Sequence, residues 1–316
     1  MAELAVHDAK RLKELQALPL DRKIMIAQAR IIEWHKHFNG NVFVSFSGGK
    51  DSTVLLHLVR QLFPNVPAVF SNTGLEYPEI QKFAREKGAE FITPKMRFTD
   101  VVLKYGYPLI SKEASKVIYD ARRYANKNGL TQARKRVMGV EKYETSQFSA
   151  KRYNVLAHEL PVMIADRCCY VMKKGAFHGY MKETGRVPYI GTLTEESLLR
   201  KQAWIEAGCN AFDAKYPGSR PLSFWTNQDI LTYIVQYGIE IASVYGEVIS
   251  VDSDGFTYPP RGLDGEIREN LMCSKCQRTG CIFCAYGLHK EKGLTRFQRL
   301  AKTHPRQYEY CVGGGQ

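Results

Sequence analysis

Of the 316 residues only eight are cysteine and three tryptophan, and nowhere does the chain sustain an apolar run near the roughly 20 residues a bilayer-spanning helix needs. Eight cysteines in this length fall well short of a disulfide scaffold, and their clustering points to ligand or redox work in a reducing compartment. Internal repeats and low-complexity blocks are absent. A composition 44% hydrophobic and 24% charged excludes disorder, collagen and coiled coil, and fits one large domain or two modest ones. The opening MAELAVHDAKRLKEL carries acids and bases where a signal peptide carries an apolar core, so the expectation is a cytoplasmic chain with no membrane partner.

Acids are also scarce: 32 Asp+Glu against 45 Lys+Arg leave a net charge of +13 and a pI near 9.3. That balance favours an anionic partner, an adenine nucleotide or a nucleic acid such as DNA or tRNA. Residues 112–152 hold eleven basic and four acidic side chains, residues 268–306 nine and two, and these two stretches account for all the excess. In and directly after the first, Tyr119, Tyr124, Tyr143 and Tyr153 interleave with Arg122, Arg123, Arg134, Lys135 and Arg136 as rings and cations do in nucleic-acid grooves. The plainer reading is a solvated charged face.

Apolar residues at helical intervals over 8–37, interrupted at Pro19, predict two N-terminal helices. After them NVFVSF (41–46) reads as a buried strand, SGGKDS as a glycine loop and TVLLHLVRQLF (53–63) as a helix. A strand at 66–73, a helix at 78–88 and a strand at 89–94 continue the alternation, which predicts a parallel sheet with crossover helices. The basic stretch 112–152 reads as helices and loops inserted in that core. The sheet resumes at 187–194, followed by a helix ending at Gly208 and another capped by Thr226 and stopped at Gly238. Residues 252–266 read as a loop, and the tail GGGQ as flexible.

Three common loop patterns are missing. GxxxxGK[ST] and GxGxxG do not occur at the glycine loop, and Ser45 stands where GxSxG requires glycine, which argues against P-loop, dinucleotide and nucleophile-elbow chemistry. What remains is a strand, a glycine loop and a helix N-terminus, whose backbone N–H groups and dipole suit a phosphate. Gly48 and Gly49 let the backbone approach, Ser45, Ser47 and Ser52 offer hydroxyls, and Lys50 offers a point charge beside Asp51.

SGGKDS resembles the PP-loop of the adenine nucleotide alpha hydrolase superfamily, whose members grip pyrophosphate while ATP is cut between its α and β phosphates. Asn72-Thr73-Gly74-Leu75-Glu76-Tyr77-Pro78-Glu79 resembles the DTG..FPE segment of phosphoadenosine phosphosulfate (PAPS) reductases. GTLTEESLLR (191–200) is similar to their G-x-R-x-x-E-S-x-x-R segment, with Glu196, Ser197 and Arg200 matching, and PLSFWTNQDILTYI (221–234) to their PL..WT..DVW.YI helix. The resemblance implies an α/β PP-loop fold, a parallel sheet flanked by helices, with N-terminal helices and a Cys-rich C-terminal region. It implies three consecutive segments: 1–37 helical, 38–240 the PP-loop domain with the basic insertion, and 241–316 carrying the C-terminal cysteines. Lys50 and Asp51 become catalytic candidates, and Ser45, Ser47, Gly48, Gly49, Ser52, Asn72, Thr73, Gly74 and Arg200 nucleotide-binding ones, with ATP and Mg as the ligand. The chain departs from true reductases in three ways: Leu193 replaces an arginine, the loop is intact, and the C-terminal ECG-type motif is missing around Cys311.

Cys168-Cys169 with Lys173 resembles the CC-x-x-x-K segment of iron–sulfur adenylylsulfate (APS) reductases, and Gly280-Cys281-Ile282-Phe283-Cys284 their G-C-x-x-C. The implied ligands of a [4Fe–4S] cluster are Cys168, Cys169, Cys281 and Cys284, with Lys173 as a nearby charge. Cys273 and Cys276, with Cys281 and Cys284, form a compact alternative set for zinc or a local cluster, although four residues between the two CxxC pairs is short for a zinc ribbon. His289 and His304 read as solvated surface histidines and Cys209 as core.

Three functions fit these features. An enzyme could adenylylate an acceptor with ATP and exchange the activated oxygen for sulfur, as PP-loop thiolation and DNA phosphorothioation proteins do, using a sulfur donor and a nucleic-acid substrate. A reductase could convert APS or PAPS to sulfite with thioredoxin-like thiols. A non-catalytic accessory protein could bind nucleotide or DNA alone.

Overall fold

A computed structural model of the chain describes residues 7–123, 131–144, 150–159, 161–291 and 293–312. Tyr124 and the terminal GGGQ lie outside the described residues. Eleven strands occur among those described: β1 (Val42–Ser45), β2 (Ala68–Ser71), β3 (Glu90–Ile92), β4 (Leu109–Ile110), β5 (Val187–Ile190), β6 (Asn210–Ala211), β7 (Gly218–Ser219), β8 (Val248–Val251), β9 (Thr257–Tyr258), β10 (Leu271–Cys273) and β11 (Ala285–Tyr286). The chain forms two compact units that interleave in sequence. The first takes 7–72, 77–92 and 177–279, the second 73–76, 93–176 and 280–312. These two units cut across the three consecutive segments that the resemblance implied.

The first unit is built on a six-stranded sheet in the order β3-β2-β1-β5-β7-β6, parallel except for the β6–β7 edge pair. Val44 stands opposite Ala68 on one side and Tyr189 on the other. β1 and β2 read as unbroken apolar runs because both faces of a parallel sheet are covered; Val42, Phe43, Val44, Ala68, Val69 and Phe70 are all buried. The strand order reverses beside β1. β2 and β3 are laid out to one side, and β5 then starts on the other, so the carboxyl ends of β1 and β5 form the topological switch point, the position at which α/β sheets bind ligands.

The N-terminal helices Ala9–Gln16 and Leu20–His37 belong to this unit, with Leu12, Ile24, Ala27, Ile31 and Trp34 in its core. Buried Lys23 is neutralised by Asp229 at 2.6 Å. The same Asp229 carboxylate accepts from the Thr226 backbone in the capping box that starts helix Asn227–Tyr237, and Gly238 in left-handed conformation ends it. Both ends agree with the sequence reading.

Residues 252–266 differ from the loop expected: β9 pairs with β8, and β8 with β10, in an antiparallel sheet. A two-residue strand has no periodicity to read. Asp252 closes this hairpin by accepting from the amides of Asp254 and Phe256 and from the Tyr258 hydroxyl.

In the second unit the basic insertion folds as helices Lys112–Arg123 and Gln132–Met138 around Val117, Ile118, Ala121, Val137, Ala157 and Ile164. It has its own core and is not embedded in the central sheet. β4 and β11 pair in parallel, and helices Arg296–Thr303 and Pro305–Val312 complete the unit. Among the described residues no helix is long and apolar enough to cross a membrane.

Candidate functional site

β1 delivers the chain to the switch point, where Ser45 ends the strand and helix Lys50–Leu62 begins. Gly48 turns between them with φ +69°, and a Cβ there would stand 2.8 Å from Ile80 Cγ2; only glycine meets both conditions. The loop is knitted by its own hydroxyls. Ser47 N–H donates to Ser52 Oγ at 3.2 Å, Ser52 Oγ donates to the Gly49 carbonyl at 2.9 Å, and Thr53 Oγ1 does so at 3.0 Å. From β5, Gly191 approaches so closely that a Cβ would lie 3.0 Å from Ser52 Cα and 3.1 Å from the Asp51 carbonyl oxygen.

Lys50 is buried and ion-paired with its neighbour Asp51 at 2.9 Å. Its backbone N–H, one of the donors a helix N-terminus offers to an anion, donates to Tyr245 Oη at 3.3 Å, and Tyr245 Oη lies 2.7 Å from Thr279 Oγ1. Beside the loop, Glu196 accepts from Arg278 and is ion-paired with Arg200. Burial, Arg278 and Arg220 lower the pKa of Arg200, while Asp51 opposes them; the guanidinium stays charged. Ser197 caps the helix Leu198–Ala207. Leu193 lies in the core of the unit, 2% exposed.

Cys273 and Cys276 belong to this first unit. Cys273 is fully buried on β10, and burial pushes its thiol up to about 11 while Lys50 draws it down. Cys276 Sγ donates to the Arg278 carbonyl at 2.9 Å. Tyr245, Thr279, Gly191 and Arg278 were not legible as site residues. Only Gly191 carried a sequence signal, as the first residue of the GTLTEESLLR match.

Cys168, Cys169, Cys281 and Cys284 fall together in the second unit. Burial, then Cys169, Cys281 and Cys284, push Cys168 up to about 12, and Lys173 pulls it down. Their surroundings are apolar: Leu75, Val101 and Met172 are buried with Cys168, and Phe98 and Phe283 pack against them. Lys173 sits on a single π turn, Tyr170–Lys174, directly after the cysteine pair; such turns mark functional positions in helices. Burial lowers its pKa, but Cys281, first by charge, and Glu76 raise it more. Glu76 stands 3.6 Å from Lys173 Nζ and accepts from Thr73 Oγ1 at 2.7 Å and Thr73 N–H at 3.1 Å. Thr73, expected at the nucleotide, thus spends its amide and hydroxyl on the Glu76 that faces Lys173. Asn72 stays in the first unit, donating to the Ile92 carbonyl, and Gly74 turns with φ +73°. Among the described residues no three His, Cys, Asp or Glu side chains converge tightly enough to clasp a metal ion.

The basic insertion is largely satisfied internally. Arg122 donates to the carbonyls of Leu156, Ala157 and Val162 at 2.6–2.8 Å. Lys135 pairs with Glu141 and Arg136 with Glu113, both at 2.6 Å. Arg123 ends the first insertion helix and Arg134 lies in the first turn of the second. The rings of Tyr119, Tyr143 and Tyr153 lie under Arg167, Lys142 and Arg152.

A mostly parallel α/β sheet with a glycine loop between strand and helix at its switch point is a fold of the PP-loop type. The phosphoadenosine phosphosulfate reductase domain matches residues 41–99 and 111–286, and the chain belongs to that family. Among its relatives, the phosphoadenosine 5′-phosphosulfate reductase of Xanthomonas euvesicatoria is 30% identical over 99 residues, 31% of this chain and 38% of the relative. That of Klebsiella pneumoniae is 35% identical over 60 residues, 19% and 25% of the two chains. An uncharacterized protein of Methanocaldococcus jannaschii is 30% identical over 94 residues, 28% and 23%. The chain thus covers well under half of the length of these relatives. A crystal structure of PAPS reductase from Candida auris in complex with phosphate covers 75% of this chain and 90% of its own, at a TM-score of 0.38 and 12% identity.

Proposed function

We propose that the chain binds ATP with Mg at the Ser45–Ser52 loop and cleaves it to pyrophosphate and an adenylylated acceptor, whose activated oxygen is then replaced by sulfur with release of AMP. The observation that carries this reading is the intact loop at the switch point, with Gly48 and Gly191 leaving no room for side chains and Lys50 and Asp51 paired at its edge. Loop amides and Lys50 would stabilise the departing pyrophosphate, and Asp51 would help hold the Mg. Leu193 in the core supports ATP over a sulfonucleotide, since the arginine of the reductase motif is absent.

The four thiols of the second unit fit a [4Fe–4S] cluster. In a cluster each thiolate binds its own iron, so four neighbouring cysteines that do not converge on one point suit it better than one tetrahedral ion. Cys168, Cys169, Cys281 and Cys284 would hold it, with Lys173 offsetting negative charge. A cluster there would supply sulfur or electrons to the reaction.

A nucleic acid is the acceptor we favour, on the +13 charge and its two basic stretches. Ion pairs whose acidic partners are exposed, such as Lys135–Glu141 and Arg136–Glu113, can be exchanged for phosphates, whereas Arg122 serves the fold. The second reading is sulfonucleotide reduction with thioredoxin-like thiols, favoured by family membership.

Anaerobic incubation with ATP, APS and PAPS separately, measuring pyrophosphate and sulfite, tests both. Pyrophosphate from ATP that Lys50→Ala abolishes supports the first. Sulfite from APS or PAPS without pyrophosphate from ATP replaces it with the second.

A further inference from the structure

The glycine loop carries a cation that no motif supplies. Four basic side chains, Lys50, Arg200, Arg220 and Arg278, are grouped by charge around the carboxylates Asp51 and Glu196, so the cluster holds more positive than negative charge. Lys50 is buried against Asp51. The Arg278 side chain is 66% exposed, against 40% for Arg200. It comes from the 273–279 turn, whose next residue, Thr279, meets the Tyr245 hydroxyl that receives the Lys50 amide. The turn is fixed from behind: Lys275 N–H donates to the Tyr245 carbonyl and Ser274 N–H to that of Glu247, at 3.1 and 2.8 Å.

We propose that Arg278 is a phosphate-binding residue of this loop, holding the polyphosphate of the bound nucleotide together with the loop amides. This deepens the ATP reading and rests on it for the nucleotide's identity. Glu196 is then a resting partner. A carboxylate shared by two guanidiniums keeps Arg278 beside the loop, and a polyphosphate with more charge and a bidentate geometry displaces it. Arg278 follows the Cys273–Cys276 pair in sequence, so nucleotide binding and the state of those thiols become linked through one short turn.

The test is calorimetric binding of ATP, PAPS, inorganic pyrophosphate and adenosine to the full chain and to Arg278→Ala and Arg278→Lys. Arg278→Ala is expected to weaken ATP and pyrophosphate on the order of tenfold, the effect of a lost charged hydrogen bond. Arg278→Lys should recover part of that, and adenosine should bind both variants as it binds the wild type. Unchanged melting temperatures would mark the effect as one on the ligand. If ATP binds the wild type and Arg278→Ala equally, the proposal is overturned and the ATP reading stands. If ATP fails to bind but PAPS or pyrophosphate binds and weakens in Arg278→Ala, Arg278 keeps its role and the ATP reading falls. Binding of none of the phosphate ligands overturns both.

Discussion

Gly48→Ala tests whether the glycine loop is as tightly determined as its geometry implies. Two costs can be assigned. The φ of +69° charges an L-residue about 1–2 kcal/mol. The new methyl would also meet Ile80 Cγ2 at 2.8 Å and the Ile80 carbonyl oxygen at 3.2 Å, and overpacking in a core costs about 1–3 kcal/mol. Together the loss is about 2–5 kcal/mol, a large share of a typical folding stability of 5–15 kcal/mol. At roughly 2–4 °C per kcal/mol for a large domain, melting should fall by about 4–20 °C. Thermal denaturation followed by circular dichroism reads the loss. Because the side-chain clash is separable, Ile80→Ala in the Gly48→Ala background should give a less than additive loss, relieving the contact with Cγ2 and leaving the carbonyl contact and the φ cost. Strict additivity, or a Gly48→Ala protein melting within a degree of the wild type, would refute the reasoning.

Three further outcomes are expected. Protein prepared without oxygen should carry about four irons per chain and lose them when Cys168, Cys169, Cys281 or Cys284 becomes serine; retention of iron in the Cys168 and Cys169 variants, together with its loss on changing Cys273 and Cys276, would point to the compact set. Arg122→Ala should destabilise the second unit by about 2–4 kcal/mol, because three carbonyls lose a charged donor, and should speed limited proteolysis around 156–162; replacing Arg123, Arg134, Lys135 and Arg136 should instead flatten the salt dependence of nucleic-acid binding, the log–log slope falling by about 0.7–0.9 for each phosphate no longer neutralised. His57, whose Nδ1 lies 2.8 Å from Tyr233 Oη, has its pKa lowered by burial from the ordinary value near 6.5; its contribution to stability is present above that value and lost as pH falls through the folded pKa, so denaturant midpoints should drop from pH 7 to pH 5 and drop less in His57→Gln.

The elements legible in advance were those whose signal is local. β1, the glycine loop and the following helix are contiguous, and Thr226 and Gly238 bound their helix by caps that act within a turn. Local pattern could not say which stretches share a core. Residues 73–76 interrupt the first unit and join the second because Glu76 pairs with Lys173 and the Ile282 amide reaches the Leu75 carbonyl. The cysteine quartet was legible only through resemblance, since nothing in the spacing of 168 and 284 brings them together. Tyr245 and Arg278 left no trace because a lone tyrosine or arginine takes its role from what the fold sets beside it. Charge counting likewise marked the insertion as basic without distinguishing Arg122, which binds carbonyls, from neighbours with exposed acidic partners.

The path of the chain between its two units gives the four thiols a mechanical meaning. Cys168 and Cys169 lie shortly before the chain leaves the second unit at 176, and Cys281 and Cys284 immediately after it returns at 280. A cluster bound there would clasp both ends of 177–279, turning the stretch that includes β5, Gly191 and Glu196 into a closed ring. The entropy of closing so long a loop is charged to the unfolded chain once the clasp is made, so half of the nucleotide-loop sheet would be steadied by ligands that lie outside it. Oxidative loss of the clasp would then be felt first as looseness in β5 and the strands that follow it.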